Sequence, residues 1–340
     1  MTELPEGVQP TFDLTSGAKL DAVSTRDLGC ELLARLKTPS PTSYHESAQT
    51  HLTMLLALRD AIEPLLETVH NRFSTKLLAA QFDLVLHAWR THGLPLAGAT
   101  HLEIGSGALN PFARMFTHIM AGVRRAWCLE PDPLRDVTNA VRTLARLAAD
   151  ALIDPASIFG ALPIDSATVL ANLAGFDLAR LRRGDDSGAD RSRLDFLPRS
   201  VTDTGLPDGS VDVVISNSVM EHVPDVDAAL QELARVTRRG GFALHGIDVA
   251  DHRIHHDASL HPLEFLTVQS SKPIVWYSNR LRLCEFETRF AQHGFRVLDR
   301  WLDNKVTVPV SLRQRLCDPW SAMTDEQLEM TWAVYLLRLD

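Results

Sequence analysis

The residues best spaced for chemistry begin with Gly105 and Gly107, which interrupt an apolar run at 102–104, and end with Glu130, which closes a second apolar run at 126–129. Between them, residues 112–121 have helical periodicity. Glycines without a Cβ let the chain turn tightly and let a ligand touch the backbone. The first turn of the following helix offers unpaired N–H groups at a positive dipole end. A carboxylate ending the neighbouring strand can accept both hydroxyls of a ribose. These features predict a nucleoside-like ligand lying across the strand tips.

Spacing narrows the ligand. A dinucleotide site needs a further glycine three residues after the second, where the pyrophosphate meets the helix, and Asn110 stands there. A phosphate-cradling loop needs Gly-Lys-Ser/Thr, and the bend has no lysine. What remains is a ligand with an adenosine ribose but no phosphate.

Imidazoles and carboxylates crowd a second region. His222 precedes His245, and Asp251, His252, His255, His256, Asp257 and His261 follow within a short stretch. Imidazole is the side chain best suited to move protons at neutral pH. His252 and His256 are four apart, as two metal ligands on one helical turn would be. Pro262 and the surrounding sequence do not favour a helix there, so the histidines are assigned to hydrogen bonding or proton transfer and no metal is expected.

The elements that must position these groups alternate. Residues 211–216 form a β-branched run of the kind buried in a parallel sheet, 225–237 an amphipathic helix closed by Arg238, Arg239, Gly240 and Gly241, and 242–247 the next strand. Residues 295–301 and 332–339 read as two last strands, 284–293 as a helix, and 308–330 as a helical insert or dimer element. Before the bend, three-four apolar spacing predicts helices over 20–37, 44–69 and 75–91, after a poorly ordered lead-in over 1–17. The long interval after Glu130 predicts helices at 137–151 and 166–183 and an exposed loop at 182–193. Alternating strands and helices imply a doubly wound α/β sheet, with ligands at the strand carboxyl ends.

The stretch LEIGSGA, with CLEPD at the end of the second strand, resembles motif I of the class I S-adenosylmethionine (SAM) dependent methyltransferases. VDVVISNSVMEHVPD followed by helix, Arg-Arg-Gly-Gly and strand resembles the same core; together the segments cover some 150 residues. Leu109 stands where the family has a third glycine. The resemblance implies a mostly parallel seven-stranded sheet with an antiparallel last hairpin and SAM as cofactor. It implies contacts from Glu103, Gly105, Ser106, Gly107, Glu130 and Pro131. Thr202 or Asp203 would lie near the adenine, and Asn217 and Ser218 under the sulfonium. The tail from His261 to Trp301 resembles natural-product and surface-glycan methyltransferases. Trp276, Tyr277, Asn279 and Arg280 would then form a wall around an oxygen-rich acceptor, or else Asn279 and Arg280 would cap the next helix.

These similarities imply methyl transfer to an oxygen or nitrogen of a small metabolite or sugar, mainly by proximity and orientation. His252, paired with Asp251, is the preferred base or orienting residue, with His222 as the second candidate. The alternatives are a noncatalytic SAM-binding partner protein and an aminopropyl-type transferase.

The chain has 340 residues and a formal net charge of −9, with no basic field to hold nucleic acid. Cys30, Cys128, Cys284 and Cys317 form no Cys-x-x-Cys pair, which fits reduced thiols. Without a leader-like N-terminus or a membrane-length apolar window, the expectation is a cytoplasmic protein with no membrane contact. Its organisation is expected as a helical region over 1–95, serving as lid or dimer surface, and a SAM-binding core over 96–340. The core would carry an insert at about 133–195 and a substrate-side segment at about 250–290. A homodimer fits this layout.

Overall fold

Short β-branched and aliphatic runs build a seven-stranded sheet in the order β3-β2-β1-β4-β5-β7-β6. The structure is a computed structural model that describes residues 75–107, 110–160, 162–272 and 278–340. The helices expected over 20–37 and 44–69, the lead-in, Cys30, Trp276 and Tyr277 lie outside the described residues.

The strands are β1 Thr100–Ile104, β2 Arg125–Leu129, β3 Leu194–Leu197, β4 Val211–Asn217, β5 Thr237–Asp248, β6 Phe295–Lys305 and β7 Met330–Leu339. The first five pair in parallel. β7 runs antiparallel between β5 and β6, as the resemblance implied. The longer helices are α1 Thr75–His92, α2 Ala113–Met120, α3 Val137–Ile153, α4 Val226–Val236 and α5 Leu283–Gln292.

Side chains alternate across each strand, and apolar layers cover both faces of the sheet. Val213 and Ile215 of β4 join Phe82, Phe116, Val141 and Leu144 from α1, α2 and α3 on one side. Leu102, Ile104 and Val214 join Leu230, Leu233, Phe286 and Phe290 from α4 and α5 on the other. Phe82 meets Phe159 and His118 edge to face, so α1 packs directly on the layer that backs the sheet.

Several boundaries differ from the sequence expectation. The interval after Glu130 breaks into α3 and short helices at Ala156–Phe159, Ser166–Asn172 and Leu178–Arg183, the last two capped by Asp165 and Asp177. Arg238 to Gly241 do not terminate α4 in a loop. They enter β5, where Thr237 pairs with Val211 and the register shifts before Phe242. Arg238 binds Asp212 at 2.5 Å, and a Cβ on Gly241 would lie 2.7 Å from the Arg238 carbonyl. The insert at 308–330 is three short turns: Val310–Arg313, Trp320–Ala322 and Asp325–Glu329. Leu312, Leu316, Trp320 and Leu328 pack there on Leu263, Phe265 and Leu266. Cys128, Cys284 and Cys317 are free thiols, and no described helix is long and apolar enough to cross a membrane.

Candidate functional site

The carboxyl ends of β1, β2, β4 and β5 share one edge because Ile104 pairs with both Leu129 and Ser216, and Asn217 with Gly246. The bend after β1 stays on that edge because the Gly105 and Ser106 amides both donate to the Leu129 carbonyl, at 2.8 and 3.2 Å. Gly105 has φ +67°, and a Cβ there would stand 2.3 Å from Val219 Cγ2. Both conformation and space therefore demand glycine. Gly107 has φ +82°, yet open space where its Cβ would be.

Glu130 points at this bend. Its Oε2 accepts the Gly107 amide proton at 2.9 Å and its Oε1 that of Asp132 at 3.2 Å. Pro131 follows on the surface. Ser106 Oγ and Glu103 Oε2 are buried without a hydrogen-bond partner. The other Glu103 oxygen takes Arg114 Nη1 at 2.6 Å, and Arg114 Nε reaches Gln81 on α1 at 3.0 Å. Burial pushes the Glu103 carboxyl above its ordinary range and the Arg114 charge pulls it back. Arg114 and Gln81 then line a cavity that reaches Ser216, Asn217 and Gly246. Sequence reasoning missed both residues. Arg114 stood in the first turn of the helix after the bend and could have been flagged; Gln81 is brought in only by packing of α1.

At the end of β4, Asn217 is exposed, and Ser218 turns the chain at φ +52° with its amide bonded to the Gly246 carbonyl at 2.9 Å. Thr202 and Asp203 lie in the loop after β3. Both are exposed, with Asp203 3.5 Å from Arg199.

The histidine region is assembled differently from its sequence spacing. Asp251 is not paired with His252: its carboxylate holds Arg253, with Nε at 2.9 and 3.0 Å from its two oxygens. His252 Nε2 instead lies 3.6 Å from Asp248 Oδ2. The His252 ring meets the His222 ring at 4.8 Å between centroids. His255 and His256 are exposed. Partial burial lowers the His252 pKa, opposed by Asp248 and aided by His222 and His255, so this imidazole is neutral at neutral pH.

Glu221, absent from the sequence expectations, is fully buried beside these rings. Burial raises its pKa to about 8; the Glu221 and Asp248 backbone amides pull it back and the Asp248 charge adds to the rise. Neither carboxyl oxygen makes a hydrogen bond of normal geometry. One ligand atom from each of Glu221, His222 and His252 lies within 4.8 Å of the others.

Asn279 and Arg280 do not cap α5; Arg282 and Glu285 form its capping box. The Asn279 amide donates to the Met220 and Val223 carbonyls at 2.8 and 3.0 Å, bracing the turn that carries Glu221 and His222. Arg280, with φ +59°, donates to the carbonyls of Val268, Ser270 and Lys272 and lies over the Trp320 ring. A guanidinium with five donors suits a loop rich in unpaired carbonyls.

A family model described as a methyltransferase domain matches residues 161–245, from the insert through β3 and β4 into β5. An uncharacterized methyltransferase of Mycobacterium sp. (strain JLS) is 47% identical over 49 residues, 14% of this chain and 19% of the relative. The chain thus spans about a fifth of the length of the curated relatives it matches. Among solved structures, a putative methyltransferase of Haloferax volcanii, in complex with the Trm112 methyltransferase activator, is 16% identical. That alignment covers 82% of this chain and 94% of the other, with a TM-score of 0.42. A putative sarcosine dimethylglycine methyltransferase of Galdieria sulphuraria is 16% identical, covering 78% and 85%, with a TM-score of 0.40.

Proposed function

We propose that this protein transfers a methyl group from SAM to an oxygen or nitrogen of a small-molecule or sugar acceptor. One observation carries the reading: Gly107, facing open space, donates to the carboxylate that ends β2. The bend can take the methionine end of the ligand, and Glu130 can exchange its two backbone bonds for the ribose hydroxyls. Buried, unpartnered Ser106 Oγ and Glu103 Oε2 are further groups beside the bend that suit a polar ligand. Thr202, Asp203 and Pro131 border the adenosyl side, and Asn217 and Ser218 the floor beneath the reacting centre.

Bound SAM supplies a sulfonium methyl that is already electrophilic. The chain has therefore to hold an acceptor in line with the S–CH3 bond and keep water away. The tips of β4 and β5 and the turns after them, 218–223 and 249–255, form the acceptor side, where a neutral His252 is able to accept a proton. Asn279 and Arg280 serve this side by fixing its loops.

Calorimetry with SAM and with S-adenosylhomocysteine tests the cofactor. Micromolar-range binding is expected, lost in Glu130→Ala; unchanged affinity in that variant contradicts the ribose assignment. Incubation with methyl-labelled SAM and a source extract, with the labelled product identified by mass, tests the transfer and names the acceptor.

A further inference from the structure

We infer that Glu221, His222 and His252 form a binding site for one divalent first-row transition-metal ion at the tips of β4 and β5.

The donors come from two separate turns. Glu221 and His222 lie on the turn Met220–His222 after β4, and His252 opens the turn His252–His255 after β5. One donor atom of each lies within 4.8 Å of the other two. Metal–donor bonds of about 2.1 Å in a tetrahedral shell place donors about 3.4 Å apart. Closure on an ion thus requires side-chain shifts of up to about 1.4 Å, within the reach of rotamer adjustment.

Glu221 makes the cluster a site. Its side chain is wholly buried, neither oxygen makes a hydrogen bond of normal geometry, and one oxygen lies in a 4.8 Å cluster with two imidazole nitrogens. A buried carboxyl without such a bond is costly, and a cation would supply the missing interaction. His252 Nε2 is likewise buried without a hydrogen bond. Asp248 Oδ2 stands 3.6 Å from that same nitrogen and adds negative charge beside the cluster. Asn279 clamps the carbonyls on either side of the Glu221–His222 pair.

Two imidazoles and one carboxylate favour zinc, iron(II), cobalt or nickel over magnesium or calcium, which prefer all-oxygen shells. Three protein ligands leave at least one coordination position open. Resting on the proposed methyl transfer, that position would take an acceptor oxygen, such as a hydroxyl, which the ion would orient and acidify. In that role His252 is a ligand and not the base.

The test uses the full chain, stripped with chelator, desalted and titrated with Zn2+ at neutral pH by calorimetry, with elemental analysis of the product. One Zn2+ per chain is expected, with affinity falling at least ten-fold in Glu221→Gln and in His252→Asn. Circular dichroism checks that each variant is folded. Substoichiometric binding to the wild type, or wild-type affinity in folded variants, overturns the site. Co2+ loading of the wild type needs no variant: a visible d–d band typical of a low-coordinate nitrogen–oxygen site is expected, and only a hexaaqua-like spectrum overturns the proposal. SAM calorimetry on the same preparation keeps the two readings apart, since SAM bound without Zn2+ rejects the metal site alone, and Zn2+ bound without SAM rejects methyl transfer alone.

Discussion

Gly107 donates its amide proton to Glu130 Oε2 across 2.9 Å, joining the bend after β1 to the acid that ends β2. The receiving edge of the sheet is therefore organised by its own backbone. A ligand would have only to exchange hydrogen bonds there, with little ordering of the chain to offset.

The two glycines of the bend should respond differently to the same added methyl. Gly105→Ala meets Val219 and a positive φ together, so it should destabilise the fold by about 2–4 kcal/mol, read as a lower denaturant midpoint. Gly107→Ala meets only the positive φ and open space. It should cost about 1 kcal/mol but weaken SAM at least ten-fold, because the new Cβ projects where the ligand is proposed to lie. Equal effects on stability would contradict this assignment.

Arg114→Ala leaves Glu103, 3% exposed, without its cation. Breaking a buried pair from one side costs about 3–5 kcal/mol. The lower end is expected, because the burial that raises the Glu103 pKa lets the carboxyl take a proton. The double variant Glu103→Gln with Arg114→Met should recover much of the loss in urea unfolding.

His101 and His118 predict the response to acid. The His101 Nε2–H donates to the Pro95 carbonyl at 3.0 Å, so its Nδ1 accepts from His118 Nδ1 at 2.9 Å, and both rings are neutral. Burial lowers the His101 pKa from 6.5 to about 4, and the His118 pKa moves the same way. Between those values the unfolded chain binds more protons than the folded one. Stability is therefore full above pH 6.5 and falls as the pH drops toward 4, by about 3 kcal/mol from His101. His101→Leu with His118→Leu should flatten this part of the profile; an unchanged slope would reject the linkage.

Asn279→Ala removes two donors from the turn at 220–223. A loss of about 2 kcal/mol is expected, with a melting temperature lower by a few degrees. Amide exchange should accelerate at Val223, whose N–H bonds the Met220 carbonyl at 3.4 Å, before it does so in β4.

Four of the five parallel strands, the bend and Glu130 were legible because each follows from local chemistry, whereas the short β3 Leu194–Leu197 was not placed. Apolar runs of strand length, glycines where φ is positive and an acid at a strand end are visible without knowing what packs where. Arg238 to Gly241 misled for the same reason. Cations followed by glycines signal a helix end, but the pairing of Thr237 with Val211 drew them into β5.

The histidines mark the limit of sequence alone. Adjacency in the chain suggested Asp251 with His252, and i,i+4 spacing suggested His252 with His256. The fold instead aims Asp251 at Arg253 and exposes His256, while it gathers His252 with His222 and the buried Glu221. The sequence by itself determined the order of the longer strands and helices and the glycine–acid edge, since these depend on spacing of a few residues. Only the tertiary structure decided which side chains from β4 and β5 meet, and that Arg280 is committed to loop carbonyls. Those outcomes depend on parallel pairing, which joins residues some 30 positions apart and leaves no periodic trace in the chain.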